Sequence, residues 1–251
     1  MAMLRVATFN IRNGLGLDGR NAWPFRRATT ARTIAALDAD LVALQEVYGF
    51  QQRYLERRLS AYRFVGEGRT DGRRGERCPV LVHQDRAVVV AHRTVWFGAT
   101  PDVPGTRLPG AGFPRIATMA TVRLEPEGRL VQVTSTHLDE ASEDRRRVAA
   151  AQLVEMLDPD LPQVLMGDLN ADPTSEVIDV LADGGLVLVE PEGTTGTEHA
   201  FTGRTDRRRI DHVLVRGDVR VVDATVLTAR LGCALPSDHW PVRAVLDVGD
   251  E

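Results

Sequence analysis

Apolar and β-branched runs of strand length recur from one end of the chain to the other, separated by stretches with helical spacing. That interleaving predicts a layered α/β fold. LRVATFNI at 4–11 reads as a strand, FRRATTARTIAAL at 25–37 as a helix, and DLVALQEV at 40–47 as a second strand ending in a carboxylate. Their spacing is that of a strand, helix, strand unit. QQRYLERRL at 51–59 is a further helix, with strands following at 62–65, 79–83 and 86–97. The runs 115–124 and 129–138, joined by the turn-like EPEG, predict a hairpin of partly buried strands. Ser142, followed by Glu143 and Asp144, opens a helix to about 157, because a cap oxygen and early acids complement the free amides of a first turn. A strand at 163–170, a helix at 174–183 and strands near 209–215, 219–227 and 239–247 complete the pattern. The Gly- and Pro-rich stretch 98–114 breaks it, and reads as a long surface loop of the kind that shapes binding sites.

Composition narrows the class. With 43% hydrophobic and 26% charged residues in 251, the chain is globular rather than disordered or fibrous, and its length suits one large domain or two small ones. No apolar run approaches the roughly 18 residues of a membrane span, and MAMLRVATFN lacks the apolar centre of a secretory signal, so a soluble, cytoplasmic protein is expected. Cys78 and Cys233 stand far apart, which argues against a disulfide framework or a cysteine-rich zinc site. The 31 basic and 35 acidic residues leave a net charge of −4, and every basic residue is arginine. This is no general basic coat for nucleic acid, yet arginine forks can build local phosphate sites. Aromatic residues at 5% speak against a long base-stacking platform.

The chemistry sits where apolar strands end. Asn10, Glu46, His137, Asp168 with Asn170, Asp211, and Asp238 with His239 all occupy such places. One polar residue at a strand end means only a turn. Six such ends, converging on the rim of shared sheets, would be costly unless a cation neutralised them. Oxygen ligands without thiolates suit Mg²⁺ first, with Mn²⁺ or Ca²⁺ as alternatives, and Glu46 and Asp238 are candidate ligands. Zinc ranks lower, because no compact HExxH-type set occurs.

The strings ATFNIRNG (7–14), LVALQEV (41–47), THLD (136–139), GDLNADP (167–173), RRIDHVLV (208–215) and PSDHWPV (236–242), in this order, resemble the endonuclease/exonuclease/phosphatase superfamily of metal-dependent phosphoesterases. The resemblance implies a single domain over 1–251, folded as a four-layer α/β/β/α sandwich of two packed, mainly antiparallel β-sheets flanked by helices. It implies an activity too: hydrolysis of a phosphodiester, or a phosphomonoester, by in-line attack of an activated water. By the same resemblance Glu46 is the principal metal carboxylate, Asp238 a second, and Asn10 the first-strand asparagine beside metal and substrate. Asp168 orients or deprotonates the water, and Asn170 holds that nucleophile or a phosphate oxygen. His239, oriented by Asp211, stabilises the phosphate. His137 is similar to the second histidine of the deoxyribonuclease and sphingomyelinase branches, Glu76 to the glutamate that orients it on the substrate side, and Arg115 to a phosphate-contacting arginine. VYGFQQRY after Glu46 departs from the lysine-containing pattern of apurinic-site nucleases. The implied partner is a phosphate-ester substrate, nucleic acid among the candidates, and no protein partner is implied.

Physical reasoning supplies matching roles and weighs the rivals. Asp168 and Asn170, two apart, share a side if the backbone stays extended, and an aspartate partner favours the imidazolium of His239. Gly14, Gly16 and Gly19 form a GxGxxG that suggests a dinucleotide-binding oxidoreductase, but Arg20 to Pro24 separate them from the helix, which Pro24 should open. Consecutive Ser237, Asp238 and His239 cannot assemble one hydrolase triad. The arginine runs 145–147 and 207–209 read mainly as solvated faces, with Arg207 or Arg208 as candidate substrate contacts. His83, His92, His199 and His212 read as structural or surface residues, and Trp96 and Trp240 as core. A non-catalytic phosphate-binding module on the same fold is the remaining alternative.

Overall fold

The structure, a computed structural model, describes residues 2–232 and 234–249; Cys233 lies outside the described residues. In chain order the elements are β1 (Ala2–Asn10), α1 (Trp23–Ala36), β2 (Leu41–Gln45), α2 (Gly49–Glu56), β3 (Tyr62–Val65), β4 (Val80–His83), β5 (Ala87–Trp96) and β6 (Ile116–Leu124). There follow β7 (Leu130–His137), α3 (Glu143–Met156), β8 (Gln163–Asp168), α4 (Glu176–Asp183), β9 (Val187–Leu188), β10 (Asp211–Arg216), β11 (Val219–Val226) and β12 (Val242–Val248). The strands form two six-stranded sheets, ordered β11-β12-β1-β2-β4-β3 and β5-β6-β7-β8-β10-β9. All neighbours pair antiparallel except β1 with β2 and β7 with β8, which are parallel.

Period-two alternation sorts the central strands into layers. Leu4 and Val6, Leu41 and Ala43, Val131 and Val133, Val164 and Met166, and Val213 and Val215 point between the sheets and make one apolar core. The intervening residues pack outward. Phe9, Val42 and Leu44 meet Trp23, Ile34 and Leu55 of α1 and α2, while Leu165 and Leu214 meet Ala150, Leu153 and Leu181 of α3 and α4. Each buried Val or Leu contributes about 1.5–3 kcal/mol, so this alternation fixes the register. The result is the four-layer α/β/β/α sandwich that the resemblance implies.

Near one rim the inward positions change character. Val6 is followed on its face by Thr8 and Asn10, Ala43 by Gln45, Val133 by Ser135 and His137, and Met166 by Asp168. Thr8, Gln45 and Ser135 form a buried polar layer: Thr8 Oγ1 donates to Gln45 Oε1 at 3.3 Å, Gln45 Nε2 to Ser135 Oγ at 3.4 Å, and Ser135 Oγ to the Leu44 carbonyl at 3.2 Å. The polar groups satisfy one another, as burial requires.

Local signals hold in detail. Pro24 lies in the first turn of α1, and Ser142 Oγ accepts the Arg145 amide at 3.3 Å to cap α3. Residues 97–115 carry no helix or strand, and Gln152 on α3 pins them by exchanging hydrogen bonds with both backbone groups of Gly98. Gly14 to Gly19 lead into a single 3-10 turn at Gly19–Asn21, not directly into a helix, as the dinucleotide reading would need. Only the short β9 and that turn have no counterpart in the sequence pattern.

Arg26, fully buried on α1, is unexpected. Among the described residues it has no carboxylate partner in hydrogen-bonding range. Instead its guanidinium donates to the carbonyls of Asn21, Ile11 and Arg12 at 2.9, 2.6 and 2.8 Å, and more weakly to Pro236 and Asn13. One side chain thereby ties the segment after β1 to the segment before β12. Arg26→Met keeps the volume but orphans several buried carbonyls, each worth about 1–3 kcal/mol. We expect at least about 3 kcal/mol of lost stability in urea titrations, with the slope of the transition unchanged.

Candidate active site

The polar rim gathers residues from both sheets. In register, His137 on β7 stands beside Asp168 on β8, which stands beside Asp211 on β10. Across the sandwich, Asn10 ends β1 and Glu46 follows β2. Asp211 begins β10, and Asp238 and His239 precede β12. These three stand at the N-terminal ends of their strands, not at exits. They reach the same rim because β10 and β12 run antiparallel to β8 and β1.

Asn10, wholly buried, is the junction. Its Nδ2 donates to Glu46 Oε1 and to Asp168 Oδ2, both at 2.9 Å, while its Oδ1 accepts the Arg12 amide at 2.9 Å. Both amide hydrogens are spent on carboxylates, so Asn10, expected beside metal and substrate, bridges Glu46 and Asp168 across the two sheets. Glu46 also accepts from Asn13 through its backbone amide at 2.8 Å and its side chain at 3.0 Å. Burial opposes the charge of Glu46, but the Asn10 and Asn13 donors and the charge of His239 outweigh it, leaving the carboxylate below its usual range.

On the other side, His239 Nδ1 lies 2.8 Å from Asp211 Oδ2, and its Nε2 lies 4.0 Å from Asp168 Oδ2. Burial works against the imidazolium, yet the charge and hydrogen bond of Asp211 more than reverse this and raise its pKa well above the ordinary value. Asp168 behaves oppositely. Burial, then the charge of Asp211, push its carboxyl up to about 7. His137 is kept neutral by burial and by the nearby Arg115. Its Nε2 faces Asn170 Nδ2 at 3.1 Å, and because Nδ2 also donates to the Leu138 carbonyl, it is a donor there too. The ring proton of His137 therefore sits on Nδ1.

Asn170 corrects a second expectation. With φ of 50° its backbone is not extended, so it does not share a side with Asp168 by strand alternation. A tight turn serves instead: the Asn170 amide donates to Asp168 Oδ1 at 3.0 Å, while its side chain holds His137. Glu76 provides a third. Its carboxylate pairs with Arg69 Nη1 at 2.6 Å, and His137 is held by Asn170. Glu76, Arg69, Arg115 and Phe113 line the cleft that opens beside Glu46 and His137, with a volume of about 300 Å³.

A divalent cation fits this donor set. Asp238 is pushed up by burial and further by the charge of Glu46, so the two acids are close enough to repel and lack full compensation. The Arg12 guanidinium pairs with Asp18 at 3.1 Å and reaches Asp238 only at 3.7 Å. Asp168, Asp211 and His239 also offer ligand atoms within 4.8 Å of one another. In that second group the charge of Asp211 is met by its hydrogen-bonded partner His239, whereas Glu46 and Asp238 face each other with less compensation.

Several supporting residues carry no signal in the sequence pattern. Ser237 Oγ donates to the Asn10 carbonyl at 2.7 Å and contacts Asp238 Oδ1 at 3.1 Å, so it is a brace and not a nucleophile. Thr197 Oγ1 accepts the Ile210 and Asp211 amides, and buried Gln51 joins Gly14, Tyr48 and the Arg12 carbonyl. Arg208 pairs with Asp172 at 3.0 Å and Arg207 lies 3.9 Å from Glu198, so neither points free toward substrate. His212 bonds the Ala171 carbonyl at 2.8 Å, and His199 packs on buried Trp240, with ring centres 4.4 Å apart.

The Asp211–His239 pair has a measurable signature. Because folding raises the His239 pKa, its stabilisation is fully present below about pH 6.5 and is lost as pH rises through the folded-state value. Asp211→Asn is expected to lower the imidazole titration seen by NMR and to flatten that part of the stability–pH curve.

Comparison with known proteins identifies the family and the fold. The sequence profile of the Endonuclease/Exonuclease/phosphatase family matches residues 7–239. No curated protein matches the chain. Among solved structures, an endonuclease/exonuclease/phosphatase family protein from Bacteroides thetaiotaomicron gives a TM-score of 0.92 at 28% identity over 99% of both chains. A counterpart from Bacteroides vulgatus gives 0.92 at 29% over 99% of this chain and 100% of its own. A mannosyl-6-phosphatase from Bacteroides thetaiotaomicron gives 0.90 at 28%, covering 97% of this chain and 99% of its own.

Proposed function

This chain belongs to the endonuclease/exonuclease/phosphatase family, and we propose that it hydrolyses a phosphate ester by in-line attack of a water activated at Asp168. The observation that carries the reading is the opposed tuning of neighbours: a carboxyl titrating at about 7 beside an imidazolium held by Asp211. Such a split assigns base and acid.

Glu46 and Asp238 would hold a divalent cation, with Mg²⁺ the first choice for an all-oxygen set. When bound, that ion supplies charge neutralisation and polarisation of a phosphoryl oxygen. Asp168 accepts a proton from water, and a base near neutrality suits that task. His239 offers its Nε2 proton to the developing charge or the departing oxygen, while Asp211 keeps it charged. Asn170, locked between Asp168 and His137, places an amide beside the nucleophile. Arg115 and Glu76 line the substrate side. A non-catalytic phosphate binder on the same fold would have no use for a base poised near neutrality. The relative named a mannosyl-6-phosphatase supports extending the substrate range from diesters to monoesters. Nucleic acid is the rival substrate, and its binding would weaken steeply with salt.

Asp168→Asn is expected to lower turnover of a chromogenic phosphate ester by about 10²–10⁴-fold with an unchanged circular dichroism spectrum; turnover within a few-fold of the parent removes Asp168 from this role. Chelator should abolish activity and Mg²⁺ restore it. Independently of turnover, Mg²⁺ should raise the melting temperature of the parent, and Glu46→Gln should remove most of that shift.

A further inference from the structure

The two helical layers carry opposite charge. α1, α2 and the two residues after α2 hold six arginines, Arg26, Arg27, Arg32, Arg53, Arg57 and Arg58, against one acid, Glu56. α3 and α4 hold three arginines against six acids. Two sheets separate these layers, and packed sheets alone stand about 10 Å apart, more than the Debye length of about 8 Å in physiological salt. The basic layer therefore presents its own field to an approaching surface, although the whole chain has a net charge of −4.

Those charges are available. Arg26 is buried among carbonyls, but the other five arginines are exposed and stand in no ion pair among the described residues. α1 contains no acidic residue at all, so it is not a helix laced by its own salt bridges. Arg27 of α1 and Arg58, just past α2, converge on one ring: their guanidinium carbons lie 5.0 and 5.6 Å from the centre of Tyr54. Large apolar side chains stand in water beside them. Phe25, in the first turn of α1, is 69% exposed and shares a line along the helix with Arg32, seven residues on. Leu15 is 62% exposed and Leu17 fully exposed on the loop that enters α1. That loop closes one end of the layer, because it is tied to the first turn of each helix: the Gly14 amide donates to Gln51 of α2 at 2.9 Å, and the Asn21 carbonyl accepts from Arg26 of α1 at 2.9 Å.

We propose that the α1–α2 layer docks this protein peripherally on an anionic lipid surface, with its arginines on the headgroups and Leu15, Leu17 and Phe25 at the boundary with the acyl chains. A cluster of four to eight basic residues with apolar side chains beside it matches such a surface in both charge and polarity. Nucleic acid offers the phosphates but no apolar phase for the two leucines. Docking of this kind is independent of which ester the site cleaves.

Flotation of the full chain with vesicles of phosphatidylcholine, alone or mixed with phosphatidylglycerol, tests it. The mixed vesicles should bind the protein about tenfold or more strongly than the neutral ones, and added salt should weaken that binding. Arg53→Glu combined with Arg57→Glu and Arg58→Glu should lower the partition about tenfold or more, whereas Arg93→Glu, exposed on the edge strand β5, should leave it within about twofold. Leu17→Ser with Phe25→Ser should lower it about threefold or more without changing its salt dependence. Circular dichroism and thermal melting check that each variant is folded, and Arg57→Gln with Arg58→Gln stands in if charge reversal disturbs the helix. No preference for the anionic vesicles overturns the proposal, as does parent-like flotation of the arginine or the serine variant. Displacement from the vesicles by duplex DNA, with DNA binding unaffected by the serine substitutions, overturns it in favour of a nucleic-acid face.

Discussion

A single neutral amide holds the site together. Asn10 donates one hydrogen to Glu46, on its own sheet, and one to Asp168, on the opposite sheet. Two carboxylates so close, Asp168 buried and Glu46 half-buried, would repel strongly in a medium of low polarity. An arginine or lysine in this place would neutralise one acid and spoil its affinity for a cation or a proton. An amide instead satisfies a lone pair on each acid and leaves the charges intact. It also fixes the spacing of the two sheets at the rim where chemistry needs it.

That spacing lets the two acids adopt opposite states. Glu46 gathers N–H donors from Asn10 and Asn13 and stays ionised. Asp168 faces the charge of Asp211 and titrates near neutrality. The backbone reflects the same demands: Arg12, Glu46 and Asn170, none of them glycine, have φ of 54°, 62° and 50°. Left-handed backbone at such residues costs about 1–3 kcal/mol each. All three sit on the rim, where turning the chain sharply after a strand brings a side chain or amide back over the strand end.

Alternation makes the layers legible in the amino-acid sequence. Val6, Thr8 and Asn10 read outward from core to rim along one face of β1, and Val164, Met166 and Asp168 do so along β8. Direction is not legible. Asp211 and Asp238 look like strand exits until antiparallel pairing turns β10 and β12 around. The fate of lone polar residues in helices is hidden too. Arg26 sits among RRATTAR on α1, where another arginine reads as one more solvated charge, and Gln51 sits beside Gln52. Only tertiary packing shows that each faces backbone carbonyls or amides of the site loops. Glu76 shows the opposite error: its place in the cleft follows from the family resemblance, but its partner does not, because Arg69 reaches it through a loop that periodicity cannot fold.

These hidden supports hold the segments behind the reacting groups largely through backbone hydrogen bonds. Arg26 bonds carbonyls at both ends of the rim, and Thr197, Ser237 and Gln51 make further contacts to backbone. Carbonyls and amides do not titrate, so in the proposed mechanism the scaffold would keep its shape while Asp168 exchanges a proton. Carboxylate supports would couple each loop to that exchange, and the low polarity of the interior would magnify the coupling. Thr197, Ser237 and Gln51 brace the rim as neutral groups, and Arg26 is the charged member of this set. Its charge is set among carbonyl oxygens, behind the reacting groups; burial draws its pKa down to about 10, and the charge of Asp238 opposes that fall. A fixed cation behind the rim offsets part of the acidic surplus without competing for the oxygens that hold the ion or the water.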